Sequence, residues 1–171
     1  GDTINVPAGV TIANAGTATG FGVAGTVLFQ ATGTSSQTAL ADNVATKRNY
    51  VTEIFDTASA YDTSNSRFTV PSGGAGKYVI YYNIFLDGNA VNGLVRVDGM
   101  IYKNGSIIAL DRIDPRNSSV TKFTVGRSMT LNLSVADYIE IYGFADSSST
   151  PDVQVTNSHD NIFGAYKLTP K

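Results

Sequence analysis

The chain has 171 residues, 42% of them hydrophobic, with seventeen glycines and only 15% charged side chains; this suffices for one buried core and predicts many short strands and tight turns in an all-β domain. A formal net charge of −2 and the lack of a lysine-arginine run supply no electrostatic reason to gather phosphates, so nucleic acid is not an expected partner. No cysteine is present, which removes disulfides, thiolate chemistry and cysteine-ligated metals, and no run of about 18 apolar residues offers a membrane span, so no membrane insertion is expected.

In residues 1–25 the apolar side chains Ile4, Val6, Val10 and Ile12 alternate with small or polar ones between Gly9 and Gly16. This period of two predicts short strand units that leave open edges, and so a stem that associates with sibling chains or with the domain that follows. A start at Gly1 in place of Met leads to the expectation of a piece excised from a longer protein. Residues 26–171 form the predicted head. Val27–Ala31 is its first strand, 32–49 is a polar passage expected as loop or a short helical turn, and Tyr50–Phe55 and Arg67–Val70 are strands. The turn from Pro71 to Gly76 superficially matches a phosphate-binding loop, but Pro71 takes the place of its first glycine, Tyr78 replaces Ser/Thr, and a strand follows where a helix must begin.

The run from Lys77 to Leu86 is apolar on both faces, with Tyr78, Ile80, Tyr82 and Ile84 on one and Val79, Tyr81 and Phe85 on the other. A sandwich strand with a solvated face alternates apolar with polar, so a second apolar face predicts an outside partner, either another subunit or the amino-terminal segment folded back. Strands are expected over Leu94–Tyr102 and Ile107–Ile113, joined by an Asn104-Gly105 type I′ turn, over Thr121–Ser134 and Asp137–Ala145, and over Ile162–Leu168.

Tyr50 is followed six residues on by Asp56, five on by Tyr61, seven on by Phe68, and then by Gly76-x-Tyr78 and Tyr82; Ile162-Phe163-Gly164-Ala165-Tyr166 stands near the end. This spacing resembles the signature of the globular head of complement component one, subcomponent q, whose jelly roll is shared with the tumour necrosis factor ligands. Tyr50 stands for a usual Phe, Ile80 for the inner Phe, and the turn before Gly76 carries two extra residues. The resemblance runs from about Leu28 to Leu168 and implies an antiparallel β-sandwich and a homotrimer, with Tyr78, Ile80, Tyr82, Ile84, Phe163 and Tyr166 in the core or the trimer interface. Residues 1–25 resemble the glycine- and threonine-rich repeats of bacteriophage tail-fibre shafts.

Antiparallel neighbours put every second connection at one end of the sandwich. The short turns at 71–76, 103–106 and 134–137 share the end where the chain leaves, and the longer loops at 87–93, 112–120 and 146–161 share the other. With the stem entering beside the carboxyl end, as the resemblance implies, the long loops become the free tip, where recognition is commonly built. They gather Asp87, Asn89, Asn92, Arg112, Asp114, Arg116, Asn117, Asp146, Asp152, His159 and Asp160 as candidate receptor contacts, suited to sugar hydroxyls, to a charged surface group, or to calcium through oxygen ligands, although no compact Asp-x-Asp-x-Asp loop occurs. No metal or other cofactor is otherwise expected. Catalysis is not expected either, because His159 is the sole histidine and no Gly-x-Ser-x-Gly elbow exists. The sequence therefore reads as a non-enzymatic trimeric adhesin head at the tip of a fibre, extracellular or on a virion surface, attaching to a host-cell receptor or glycan. The alternatives are a trimerisation module that only ends the fibre and a secreted complement-like head; the latter lacks a Gly-X-Y stem here.

Overall fold

A computed structural model of the chain describes residues 26–89, 93–115, 120–153 and 161–168, so the expected stem lies outside the described residues. Twelve strands follow in order: β1 (Leu28–Thr32), β2 (Thr46–Lys47), β3 (Thr52–Asp56), β4 (Tyr61–Asp62), β5 (Arg67–Thr69), β6 (Gly76–Asp87), β7 (Leu94–Lys103), β8 (Ser106–Ile113), β9 (Lys122–Leu133), β10 (Tyr138–Ser147), β11 (Asp152–Val153) and β12 (Ile162–Lys167). All pairings are antiparallel. The first sheet runs β9-β6-β12-β1-β3, with β11 continuing beyond the end of β12 along the same edge of β6; the second runs β4-β5-β10-β7-β8, with β2 beside β10. The passage at 32–49 holds β2 and loop, and no helix is found among the described residues, so none there is long and apolar enough to cross a membrane.

Side-chain periodicity explains the layering. In β9, Phe123, Val125, Met129, Leu131 and Leu133 alternate with Thr124, Gly126, Ser128, Thr130 and Asn132, so the apolar set faces the sandwich interior and the small polar set faces out. β6 has no such alternation. Its Tyr78, Ile80, Tyr82 and Ile84 are buried between the sheets, while Val79, Tyr81 and Phe85 stay half-buried on the outer face.

The spaced aromatics of the sequence converge on Phe29. Its ring stacks on Tyr61 at 4.7 Å and Phe68 at 4.9 Å and meets Phe163 edge-on at 5.0 Å, while Tyr50 leans on Phe163 at 5.6 Å and Tyr78 on Phe68 at 5.5 Å. The phenol tips reach backbone carbonyls: Tyr61 donates to Tyr50 O at 2.7 Å, Tyr50 to Asn83 O at 3.0 Å and Tyr78 to Gly74 O at 2.6 Å. Burial pushes all three hydroxyls above the usual tyrosine range, so they stay protonated donors. Asp56 completes the motif by accepting from Ala58 N and Tyr61 N, which fixes the turn from β3 into β4.

The sheets are also tied together. Tyr82 crosses from β6 and donates to Asp111 of β8 at 2.8 Å, and Asp111 pairs with Arg127 of β9 at 2.7 Å. Gly99 makes this crossing feasible, since a Cβ there would overlap the Tyr82 hydroxyl. Arg48 lies flat over Gly143 inside the same interior, only 2% exposed, with Nε donating to Thr46 O; burial lowers it to about 10, so it stays charged near neutral pH.

At the end where the chain leaves, Asn104 and Gly105 both have positive φ, 52° and 80°, as a type I′ turn requires. Asp137 from the β9–β10 turn accepts from Lys103, Asn104 and Ser134, and these bonds, that of Lys103 foremost, hold its carboxyl down at about 2. A folded value below the unfolded value of about 3.9 means that the stabilisation is complete above that value and disappears as pH falls through about 2. Asp137→Asn is therefore expected to lower the urea midpoint at neutral pH and to flatten its acid decline between about pH 4 and pH 2; an unchanged acid limb would show that these bonds add nothing.

Candidate functional site at the loop apex

Register separates the two ends of the sandwich. Gly76 pairs with Leu133, Leu168 N donates to Lys77 O, Asn104 N to Tyr138 O and Val70 N to Asp137 O, so the three short turns share one end. Val27 lies there too, its carbonyl accepting from Lys167 N, so the described chain enters where it leaves. At the opposite end Gly88 N donates to Thr121 O, Ser148 N to Gly93 O and Leu40 N to Pro151 O. These bonds bring the connections after β6, β8 and β10 together, along with the passage between β1 and β2.

The expected contact residues take different places within this apex. Asp87 is only 4% exposed: its carboxylate accepts from Lys122 Nζ and from Asn89 N, each at 2.9 Å. It anchors the turn, with its carboxylate drawn inward to these partners. Asn89, at φ 55°, donates from its side chain to Thr150 O at 3.0 Å, and the backbone of Asp152 pairs with Asp87. Arg112 sits on the outer face of the second sheet, gripping Asp98 through two bonds of 2.8 and 2.9 Å; these bonds raise it further, and the charge of Asp114 adds to the effect. Asp146 lies at the end of β10, where the Asn43 amide bonds Asp42 at 2.8 Å and reaches Asp146 at 3.5 Å. Asn92, Arg116, Asn117, His159 and Asp160 lie outside the described residues.

Sequence reasoning missed Lys122, Asp42, Asn43 and Ser147. Lys122 was detectable, because pairing the two long predicted strands in register sets it opposite Asp87. The other three sit near or at the end of β10: Asp42 accepts from Ser147 N at 2.7 Å, and Ser147 Oγ donates to Gly88 O at 3.0 Å. Nothing local in a polar passage announces such long-range bonds. No group of three or more His, Cys, Asp or Glu lies together among the described residues, and the Asp87 carboxylate is paired with Lys122.

Two other surfaces bear on function. On the second sheet the outward aromatics are covered by neighbours: Arg67 lies over Tyr138 at 4.1 Å, Arg96 over Phe144 at 4.0 Å, and Tyr102 packs on Tyr142 at 4.1 Å. Glu140 takes Lys47 at 2.7 Å and Arg67 at 2.8 Å; burial pushes its carboxyl up, but those bonds outweigh burial and hold it below the usual range. The first sheet presents a barer outer face of Val79, Tyr81, Phe85 and Tyr166, where Tyr81 lies over Gly164, 6.5 Å from Tyr166, and donates to Gln30 at 2.9 Å. A separate apolar strip runs along the edge strand β8, where Ile107, Ile108 and Leu110 are 51%, 38% and 39% exposed. Tyr78, Ile80, Tyr82, Ile84 and Phe163 all face the interior, whereas Tyr166 is 43% exposed on the outer face.

No protein-family model and no curated protein matches the chain. Solved structures do: murine APRIL at pH 5.0 superposes with a TM-score of 0.61 at 11% identity, over 84% of this chain and 100% of that one. The globular domain of zebrafish complement 1qA superposes with a TM-score of 0.55 at 12% identity, over 85% and 99% of the two chains. At such identities the likeness speaks for the fold alone: two antiparallel sheets packed as a jelly-roll sandwich, the fold of these two structures.

Proposed function

We propose that the chain is a non-enzymatic homotrimeric recognition head that attaches by its apex loops to a cell-surface receptor or glycan. The observation that supports it best is the exposed apolar side chains outside the core, among them the outer face around Tyr81 and Tyr166, the β8 edge around Ile108 and the β3 edge at Ile54 and Phe55. A face on one subunit meeting an edge on the next is a heterologous contact, and three such contacts close a ring. Trimerisation would present three apices on one side, so that modest sites reinforce each other through effective concentration. The likeness of residues 1–25 to tail-fibre repeats supports the finer reading of a phage tail-fibre tip, extracellular on the virion.

A second reading makes the head a fibre-ending clamp without its own receptor. It draws support from the apex carboxylate Asp87, which is spent on Lys122, and from Arg112, which is held on the sheet by Asp98. Solution mass by light scattering tests the shared premise: three times 18.0 kDa is expected for the full chain, and a stable monomer overturns both readings. Alanine at Asn89 and Asp146 then separates them, since lost cell attachment with unchanged mass favours recognition and retained attachment favours the clamp.

A further inference from the structure

Two asparagines of the chain precede glycine, Asn92 and Asn104. In such a pair the glycine amide nitrogen attacks the asparagine Cγ, a new N–C bond forms as the Cγ–Nδ2 bond breaks, and ammonia leaves. Water then opens the cyclic imide to aspartate or isoaspartate, a net exchange of ammonia for water. Attack demands that the side chain swing toward its own backbone. At Asn104 both ends of the amide are already held: Nδ2 donates to Asp137 Oδ1 at 2.7 Å and Oδ1 accepts from Tyr138 N at 2.8 Å. The backbone is fixed as well, with Asn104 N donating to Tyr138 O at 3.0 Å and both turn residues at positive φ. Asp137 is itself tethered by Lys103 Nζ at 2.8 Å and Ser134 N at 2.7 Å.

We propose that Asn104 is a latent deamidation site that the fold keeps closed, with Asp137 as the group that closes it. The arrangement joins two turns, because the Asn104 side chain of the β7–β8 hairpin bonds to the β9–β10 turn and to the start of β10. Deamidation reverses the sign of that bond. The donor on Asp137 is replaced by a second carboxylate, and two like charges then face each other, with Lys103 bound to Asp137 alone. Either product weakens the link between the hairpin and β10, so the protection of Asn104 and the integrity of the base of the head are the same device.

Peptide mapping by mass spectrometry tests this on the full chain, incubated at mildly alkaline pH with and without urea, and following Asn104 and Asn92 separately. Breaking a hydrogen bond to a charged partner before attack predicts that Asn104 deamidates at least about tenfold slower in the folded chain than in urea. Equal rates with and without urea overturn the proposal. Asp137→Ala and the shape-conserving Asp137→Asn, each checked for folding by circular dichroism, are expected to speed loss at Asn104 while leaving Asn92 unchanged. Wild-type rates at Asn104 in either folded variant overturn the assignment to Asp137.

Discussion

Phe29→Ala is expected to cost about 3–5 kcal/mol of stability. Phe29 is fully buried and touches three other rings, with Tyr61 and Phe68 stacked on it and Phe163 against its edge. Truncation removes its own transfer free energy and leaves a cavity walled by rings that are already pinned, since Tyr61 is bonded to Tyr50 O and Tyr50 to Asn83 O. Pinned walls collapse poorly, which places the cost toward the upper end. For a chain of this length the midpoint of thermal unfolding should fall by about 10 °C. Phe29→Leu separates the terms, because it keeps most of the volume and loses the ring pairs at about 0.5–1.5 kcal/mol each. Urea unfolding at one fixed protein concentration is the measurement, since association would shift apparent stability. A loss below about 1 kcal/mol for the alanine variant would mean that the cluster repacks around the gap.

This cluster also explains why the fold was so legible. Tyr50, Asp56, Tyr61 and Phe68 are spaced as they are because three of them supply rings to one cluster and the fourth fixes the turn that aims Tyr61 at it. Spacing of that kind carries tertiary information in local sequence. The strands β6 to β10 were also readable, since the unbroken apolar run of β6, the period-two alternation of β9, the Asn104-Gly105 turn and the glycines after Pro71 are local signals that agree with the final packing. Boundaries moved by a residue or two, as at β10, which runs on to Ser147. β2 escaped notice, because two residues flanked by polar loop have no period of their own and are held by β10 and by Glu140.

The apex was legible as a place and not as a set of contacts. Chain reversal alone fixes which loops meet, and the backbone bonds among Gly88, Thr121, Gly93 and Ser148 follow from it. The direction of each side chain does not follow. Asp87 belongs to β6 and sits opposite Lys122, so an ion pair draws it inward although its sequence neighbours are loop residues. Arg112 is likewise governed by its cross-strand neighbour Asp98, set by the β7–β8 register, and not by the loop that follows it.

The strongest test of association uses one change on the face and one on the edge: Tyr166→Glu and Ile108→Glu, at positions 43% and 38% exposed, where the fold of the single chain is expected to survive. If a face meets an edge in each contact, a charge at either place enters all three interfaces. A loss of about 2 kcal/mol in each sums to about 6 kcal/mol, roughly a 10⁴-fold weakening of the trimer, so each variant alone is expected to run as a monomer of 18.0 kDa. Mixing the two is more telling. A chain with an intact edge and a chain with an intact face complete one contact between them, and that pair cannot grow, because its remaining face and edge are both spoiled. Light scattering over a concentration series should therefore show the mixture approaching twice the mass of one chain and going no further. Face-to-face pairing predicts something else: Ile108→Glu would then leave the mass of the wild-type assembly unchanged, and mixing would restore nothing. That result would remove β8 from the interface and with it the closed ring on which the three-armed recognition head depends.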